Sequence, residues 1–199
     1  GKGLEGTAKY ITLMDKALAY DEVANYIDLE GNVISRKVNP QLKISAYDVT
    51  EGNTITEKSD KPFGNINDGN KDTNSYLELK DTTDGKNHSR YVEFDLGTEY
   101  ELSKLHLTRY FQDNRTYGPT VISLSNDKEF TDQTIVYNSD KSGNVHNLGK
   151  GTDELYKETK DGKEITLQTP VSARYIRIYV NGRTDNAGTS DHLVEFEAH

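Results

Sequence analysis

The chain has 199 residues, carries a formal net charge of −9 and is only 33% hydrophobic. Because the chain is acidic and its Lys and Arg residues are spread among acidic ones, it is not expected to bind nucleic acid or an anionic membrane. The sequence contains no run of about 18 apolar residues, so no membrane-spanning helix is predicted. The absence of Cys excludes thiol catalysis, Cys-ligated zinc and disulfide bonds.

The first 40 residues have a helical pattern. In "TAKYITLMDKALAY", the apolar residues Ile11, Met14 and Leu18 fall on one face of a helix. Asp21 can cap a second short helix through "EVANYIDL", which Gly31 would end. We therefore predict that residues 1–40 form a helical linker or extension.

From about residue 41 the pattern changes to a period of two. "RYVEFDLG" alternates Val92, Phe94 and Leu96 with polar residues, and "SARYIRIYV" does the same. Further strands are predicted in "LKISAY", "YLELK", "SKLHLTRY", "PTVISLS", "QTIVYN", "KEITLQ" and "HLVEFEA". Many short strands separated by polar turns predict that residues 41–199 form an all-β domain, an antiparallel β-sandwich of the jelly-roll type.

The stretch "FGNINDGNKDTNSY" (63–76) concentrates short oxygen-bearing side chains. An EF-hand is excluded, because the sixth loop position is Thr73 instead of Gly and the twelfth is Leu79 instead of Glu. A tighter loop, with Gly69 free to adopt a positive φ, could gather oxygens from Asn65, Asp68, Asn70 and Thr73 around calcium. The residues alone leave this open against an Asx turn that holds no ion.

A second stretch, "LTRYFQDNRTYG" (107–118), carries more rings and charges than a core requires. Aromatic faces cover the C–H patch of a pyranose, and guanidinium groups bridge adjacent hydroxyls. The alternative is a loop held by a surface Arg–Asp pair. The candidate ligand residues of this stretch are Arg109, Tyr110, Phe111, Asp113, Asn114, Arg115 and Tyr117. In a third segment, Arg183, Asn186 and His192 could join the site, although we favour His192 as a strand-edge residue with a local partner.

"NINDGNKDTNSY", "YVEFDLG", "ARYIRIYVNG" and "HLVEFEA", in this order, resemble the coagulation factor V/VIII C-type (discoidin) domain over residues 41–198. The similarity is greater to family 32 and fucolectin-like family 47 carbohydrate-binding modules. It implies a structural calcium held by Asn65, Asp68, Asn70, Thr73 and Glu195. Glu197 shares a strand face with Glu195 and could also reach the ion, but we favour a solvated edge residue at this position. It also implies a sugar site in which His88 joins Arg109 and Arg115.

Two departures from the family pattern affect these expectations. Tyr76 stands where the family often has Trp, and the spacing Arg109-x-x-x-Asp113-x-Arg115 differs from the family's Arg-x-Asp. The second departure leaves galactose-type and fucose-type sugars both open.

Catalysis is not expected. Glu93 and Asp95 share one strand face, as do Glu195 and Glu197, whereas glycosidase carboxylates flank a cleft from different elements. We therefore expect a non-catalytic, calcium-stabilised module that binds terminal galactose or fucose on host glycans. The chain begins with Gly1, so we expect a piece of a larger bacterial glycoside hydrolase or adhesin, secreted or on the cell surface. The alternatives are a protein-binding adhesion domain without a sugar site and, less favoured, an enzyme.

Overall fold

The computed structural model describes residues 43–199 and two short strands that precede them, β1 (Tyr26–Ile27) and β2 (Val33–Ile34), which pair antiparallel. β1 falls in the segment predicted as the second short helix, and β2 also falls within the predicted helical extension. The other residues of that extension lie outside the described residues. Residues 43–198 belong to one compact unit, Val38–Ala198. Within the described part of the chain, no helix combines the length and apolar character needed to cross a membrane.

The described residues of the compact unit form eight strands and one short 3₁₀ helix, Phe63–Asn67. Every strand pair in it is antiparallel, so the predicted all-β antiparallel fold is confirmed. The strands are β3 (Lys43–Asp48), β4 (Asn53–Thr54), β5 (Leu77–Leu79), β6 (Arg90–Arg109), β7 (Val121–Ser125), β8 (Thr134–Asn138), β9 (Lys163–Val180) and β10 (Asp191–Ala198).

The two strands with the clearest period of two lie at the centre. Val92, Phe94 and Leu96 of β6 are fully buried, as are Ile176, Ile178 and Val180 of β9. The alternate residues of β6, Tyr91, Glu93 and Asp95, are only half-buried. Alternation in the sequence therefore identified the inward face of both strands correctly.

Strand β6 folds back on itself. Arg90 and Arg109, at its two ends, both contact Asp191, although a straight strand of this length would span roughly 60 Å. The pairing with β9 is interrupted between Asp95 and Tyr100, where Gly97 has a φ of 81°. Because glycine adopts a positive φ without steric cost, it suits the corner at which β6 leaves one sheet and enters the other.

The corner divides the strands into two facing layers. The first half of β6 pairs with β3 and the end of β9, and the second half pairs with β10 and the start of β9. Phe94 from the first layer stacks on Phe196 of β10 from the second, with ring centroids 5.1 Å apart. The core lies between these layers. The corner also places both ends of β6 at the same end of the sandwich, with the loops 80–89, 110–120 and 181–190.

Candidate functional site

Asp191, the first residue of β10, fastens these loops together. Its carboxylate is fully buried and accepts hydrogen bonds from Arg90 Nη2 at 2.7 Å and Arg109 Nη2 at 3.0 Å. It also accepts from the Gly182 N–H, at 2.9 Å to one of its oxygens. A buried carboxylate that binds two guanidinium groups and a backbone amide fixes the loop bases relative to one another.

Arg109, predicted as a direct ligand, lies beneath the surface. Its side chain is 1% exposed, and Nη1 donates to Thr120 Oγ1 at 2.8 Å while Nη2 donates to Asp191. The guanidinium carbon lies 4.0 Å from the centroid of the Tyr117 ring. With both Nη groups donating to protein acceptors and the side chain buried, Arg109 supports the loop from below and does not offer a fork to a ligand.

Arg115 is the arginine at the surface of this loop. Its Nε and Nη2 donate to the two oxygens of Asp113, at 2.8 and 2.6 Å. Its Cζ lies 3.7 Å from the centroid of the half-buried Tyr110 ring. Asp113 and Asn114 have φ values of 60° and 57°, so the chain turns sharply there. Asp113 and Asn114 are exposed and Phe111 is half-buried.

His192 completes the group from the neighbouring strand. Its Nδ1 lies 2.9 Å from Tyr117 Oη and 3.2 Å from Arg115 Nη1. A guanidinium only donates, so Nδ1 is the acceptor and Nε2 carries the proton. Burial, reinforced by the positive charges of Arg115, Arg183 and Arg109, lowers the pKa of His192 to about 3. The imidazole is therefore neutral at physiological pH.

Tyr76 brings the end of the "NDGNKDT" loop to the same place. Its ring centroid is 5.6 Å from that of Tyr110 and 5.2 Å from that of His192, edge-on in both cases. Lys61 Nζ lies 4.0 Å from the centroid of the Tyr76 ring. We call Tyr76, Tyr110, Arg115, Tyr117 and His192 the tyrosine–arginine cluster.

The sequence predicted three members of this cluster as ligand residues, Tyr110, Arg115 and Tyr117. It did not predict that the other two would lie beside them. Tyr76 stood out only as a departure from a family pattern, and His192 was interpreted mainly as a strand-edge residue. Both come from elements distant in sequence from residues 110–117. Their role follows from the corner in β6 and from the anchoring of Asp191, which no local pattern reveals.

His88 lies elsewhere. The structure does not bring it to the cluster, because its ring nitrogens contact Asp48 and Asp84 at 2.8 and 3.1 Å. Its side chain is 3% exposed. The place expected for a histidine beside Arg115 is taken by His192.

The third predicted segment forms the wall of a groove of about 520 Å³ between loops 80–89 and 181–190. Arg183 and Asn186 both line it. Arg183 Nε and Nη2 donate to Asp185, at 2.9 and 2.6 Å. The Thr116 and Thr184 hydroxyls lie 2.7 Å apart and connect this wall to the cluster's loop.

Four of the predicted calcium ligands lie in the 3₁₀ helix and the loop after it, and the fifth, Glu195, lies in β10. Glu195 is fully buried, and its Oε2 accepts from the Gly69 N–H at 3.1 Å. Gly69 has a φ of 79°, which gives the tight turn that was expected. Thr73 is also buried, at 4% exposure.

The donor set of this loop fits a hard cation. Carboxylates, amide carbonyls and a hydroxyl are the oxygen ligands that calcium takes. Asp68 Oδ1 accepts from the Asn70 N–H at 2.8 Å, and Asn70 Oδ1 accepts from the Asp72 N–H at 2.9 Å. Asn65 Nδ2 donates to the Tyr76 carbonyl at 3.1 Å, so the loop is tied to the cluster. Glu197 is half-buried and lies 3.5 Å from Lys71 Nζ.

The carboxylate pairs considered for catalysis are held in ion pairs along strand faces. Glu93 accepts from Arg177 Nε, and Asp95 accepts from Arg174 Nε, each at 2.8 Å. The Asp191 carboxylate accepts hydrogen bonds from its two arginines. His192 Nδ1 is hydrogen-bonded to Tyr117 and Arg115. None of these contacts provides a nucleophile beside a base.

Comparison with known proteins supports this architecture. The chain is 31% identical over 105 residues to the muramidase-released protein of Streptococcus suis, covering 53% of this chain and 8% of that protein. It resembles the family 32 carbohydrate-binding module of Clostridium perfringens NanJ, solved with galactose, with a TM-score of 0.54, 16% identity, and coverage of 81% of this chain and 96% of that one. For the family 32 module of AlyQ, solved with 4,5-unsaturated mannuronic acid, the TM-score is 0.53, identity 21%, and coverage 79% and 94%.

A sequence-family model also matches most of the chain. Residues 48–193 match the F5/8 type C domain, a span that includes the cluster, the groove and most of the sandwich. The antiparallel fold agrees with this match. The chain therefore belongs to the F5/8 type C domain family.

Proposed function

We propose that this chain is a non-catalytic carbohydrate-binding module that recognises terminal sugars of the galactose or fucose type. The proposal rests mainly on the tyrosine–arginine cluster. It places half-buried rings, a guanidinium and an imidazole together at the loop end of the sandwich, where they are not needed to fill the core.

The chemistry of the cluster suits a pyranose. Tyr76 and Tyr110 offer ring surface to the C–H face of a sugar. Asp113 holds the Arg115 fork in one orientation, and its oxygens retain lone pairs that can accept a sugar hydroxyl. His192, as the Nε2–H tautomer, keeps Nδ1 as an acceptor for Arg115 and Tyr117. The side chains would thus be positioned before a ligand arrives.

The wider family context supports a sugar ligand. Similar folds were solved with galactose and with GalNAc-β-1,3-galactose, the latter in a module of Clostridium perfringens with a TM-score of 0.51. We also propose that calcium bound by Asn65, Asp68, Asn70, Thr73 and Glu195 rigidifies the loop that ends at Tyr76. In this proposal the chain is part of a larger secreted or surface protein that it holds on host glycans.

A glycan array tests the proposal. Wild type and Arg115→Ala, both saturated with calcium, are compared on arrays of galactose- and fucose-terminated glycans. We expect wild type to bind one terminal class and Arg115→Ala to lose at least tenfold in affinity, because one charged hydrogen-bonding group contributes about 1.5–3 kcal/mol.

Arg174→Ala is the matched control. Arg174 also forms a two-point contact with an aspartate, Asp95, but lies near the β6 corner, away from the cluster. It should leave binding unchanged. Failure of folded wild type to bind any glycan would refute the sugar site and favour a protein-binding adhesion domain.

A further inference from the structure

Beyond the proposed sugar and calcium sites, we infer that Glu51, Asp84 and His88 form a binding site for a divalent transition-metal ion such as zinc. Glu51 lies in the turn after β3, and the other two residues lie in the loop before β6. One ligand atom from each residue lies within 4.8 Å of the others. The site therefore connects two loops that are far apart in sequence.

The imidazole of His88 is already oriented as a metal ligand. Nδ1 lies 2.8 Å from Asp48 Oδ2, and Asp48 is itself 6% exposed. A carboxylate can only accept here, so Nδ1 carries a proton and Nε2 is left to face the metal position. Asp48 is held in turn by the Glu51 N–H, which donates to Oδ1 at 2.9 Å. This carboxylate–histidine arrangement is the usual support of a zinc-bound imidazole.

The distances around Nε2 suit a tetrahedral ion. Asp84 Oδ1 lies 3.1 Å from Nε2, and Glu51 Oε1 lies 3.8 Å from it. Ligands about 2.0–2.2 Å from zinc at tetrahedral angles are about 3.4 Å apart, so small side-chain adjustments would bring both oxygens to the ion. The mixture of one nitrogen and two oxygens favours zinc over calcium, which takes oxygens.

The electrostatics favour a positive charge at this point. Nε2 and two carboxylate oxygens converge, and without a positive charge between them their lone pairs would repel. A proton on Nε2 is the competing occupant. Asp84 Oδ1 also accepts from the Lys86 N–H at 2.9 Å, which positions it without neutralising it.

The position opposite the protein ligands is open to solvent. The Asp84 and Glu51 side chains are 39% and 48% exposed, and His88, Glu51 and Asp48 line a cavity of about 210 Å³. Three protein ligands and one open position describe an accessible zinc site, with water as the fourth ligand. In a chain without Cys, such an ion would link the β3–β4 turn to the loop that walls the 520 Å³ groove.

Equilibrium dialysis against Zn²⁺, in buffer saturated with calcium to occupy the loop at Glu195, tests the inference. We expect wild type to bind one zinc ion per chain. Glu51→Gln and Asp84→Asn, changes at exposed side chains that leave folding intact, should each weaken binding at least tenfold. Asp48→Asn should weaken it by about 10–100-fold, the usual effect of losing the group that supports a metal-bound histidine.

His106→Gln is the matched control, since His106 lies in the second half of β6 and its Nε2 contacts the Asp161 carbonyl. It should bind zinc as wild type does. Co²⁺ in place of zinc should give the intense visible absorption of a tetrahedral site in wild type, and Glu51→Gln should lose it. Equal zinc binding by wild type and Glu51→Gln would overturn the inference and assign His88 to a proton-bridged contact with Asp48 and Asp84. The result is independent of glycan binding.

Discussion

At the scale of single residues, Asp191 joins three partners that are distant from one another in sequence. Its carboxylate is fully buried and serves Arg90, Arg109 and the Gly182 amide. Neither guanidinium has access to water, with side-chain exposures of 3% and 1%. Removing the carboxylate's charge would leave two buried cations without their counter-ion, which is more costly than losing an exposed ion pair.

We expect Asp191→Asn to reduce the free energy of unfolding by about 3–5 kcal/mol, the range for breaking a buried ion pair from one side. Urea denaturation at neutral pH measures it. Asp95→Asn is the control, since Asp95 also accepts two hydrogen bonds from one arginine, but Arg174 is 38% exposed. A loss no larger in Asp191→Asn than in Asp95→Asn would mean that Asp191 does not anchor the loops.

His192 should give the stability a pH dependence of definite sign. Its pKa is lowered to about 3 in the folded chain, against about 6.5 when unfolded, because burial and nearby arginines disfavour the imidazolium. Between these values the unfolded chain binds more protons, so stability falls as the pH falls. The stabilisation is fully present above pH about 6.5 and is lost as the pH drops towards 3.

The comparison of wild type with His192→Gln isolates this effect. Urea unfolding at several pH values from about 7 to 4 should show their stabilities converging on acidification, by at most about 1.4 kcal/mol per pH unit. His146, whose pKa burial also lowers, is present in both chains, so its contribution cancels. A difference that stays constant over this range would contradict a buried, neutral His192.

At the scale of elements, the long strands β6 and β9 decide the architecture. The sequence indicated "RYVEFDLG" and "SKLHLTRY" as separate strands, and likewise "KEITLQ" and "SARYIRIYV". Each pair is one continuous strand that passes from one sheet to the other. The first predicted strand of β6 ended at Gly97, but whether the chain bends or breaks there depends on pairing with a distant partner.

The loop from Asn65 to Thr73 leads to a prediction about metal dependence. Calcium in about 100-fold excess over its Kd should stabilise the folded chain by about 2.7 kcal/mol, which corresponds to a rise in Tm of about 5–10 °C. Differential scanning calorimetry after chelation and after calcium addition measures the rise. Its physical basis is the buried Glu195 carboxylate beside the Gly69 amide.

Two neighbouring glutamates on β10 supply the comparison. Glu195→Gln should remove most of the rise in Tm with calcium, because a neutral amide replaces a charged ligand. Glu197→Gln, at a half-buried residue beside Lys71, should keep it. If both variants respond to calcium as wild type does, Glu195 is not a ligand.

At the scale of the whole molecule, the candidate binding groups gather at one end of the sandwich. The cluster, the groove and the His88 site all lie on loops that leave the strand ends around Asp191, Arg90 and Asp48. A rigid β-sandwich that displays variable loops at one end is a common arrangement for binding. A single small site binds weakly, so attachment to a larger protein would let several contacts act together.

The sequence by itself determined the all-β class, the inward faces of the central strands and the presence of two polar loops with unusual side chains. Hydrophobic periodicity and turn residues are local properties, so they can be recognised within a single segment of the sequence. Only the tertiary structure decided that Arg109 is buried, that His192 and Tyr76 join Arg115, and that His88 faces Asp84 and Glu51. Those neighbours come from segments tens of residues apart, and the corner in β6 that brings them together depends on pairing between distant strands.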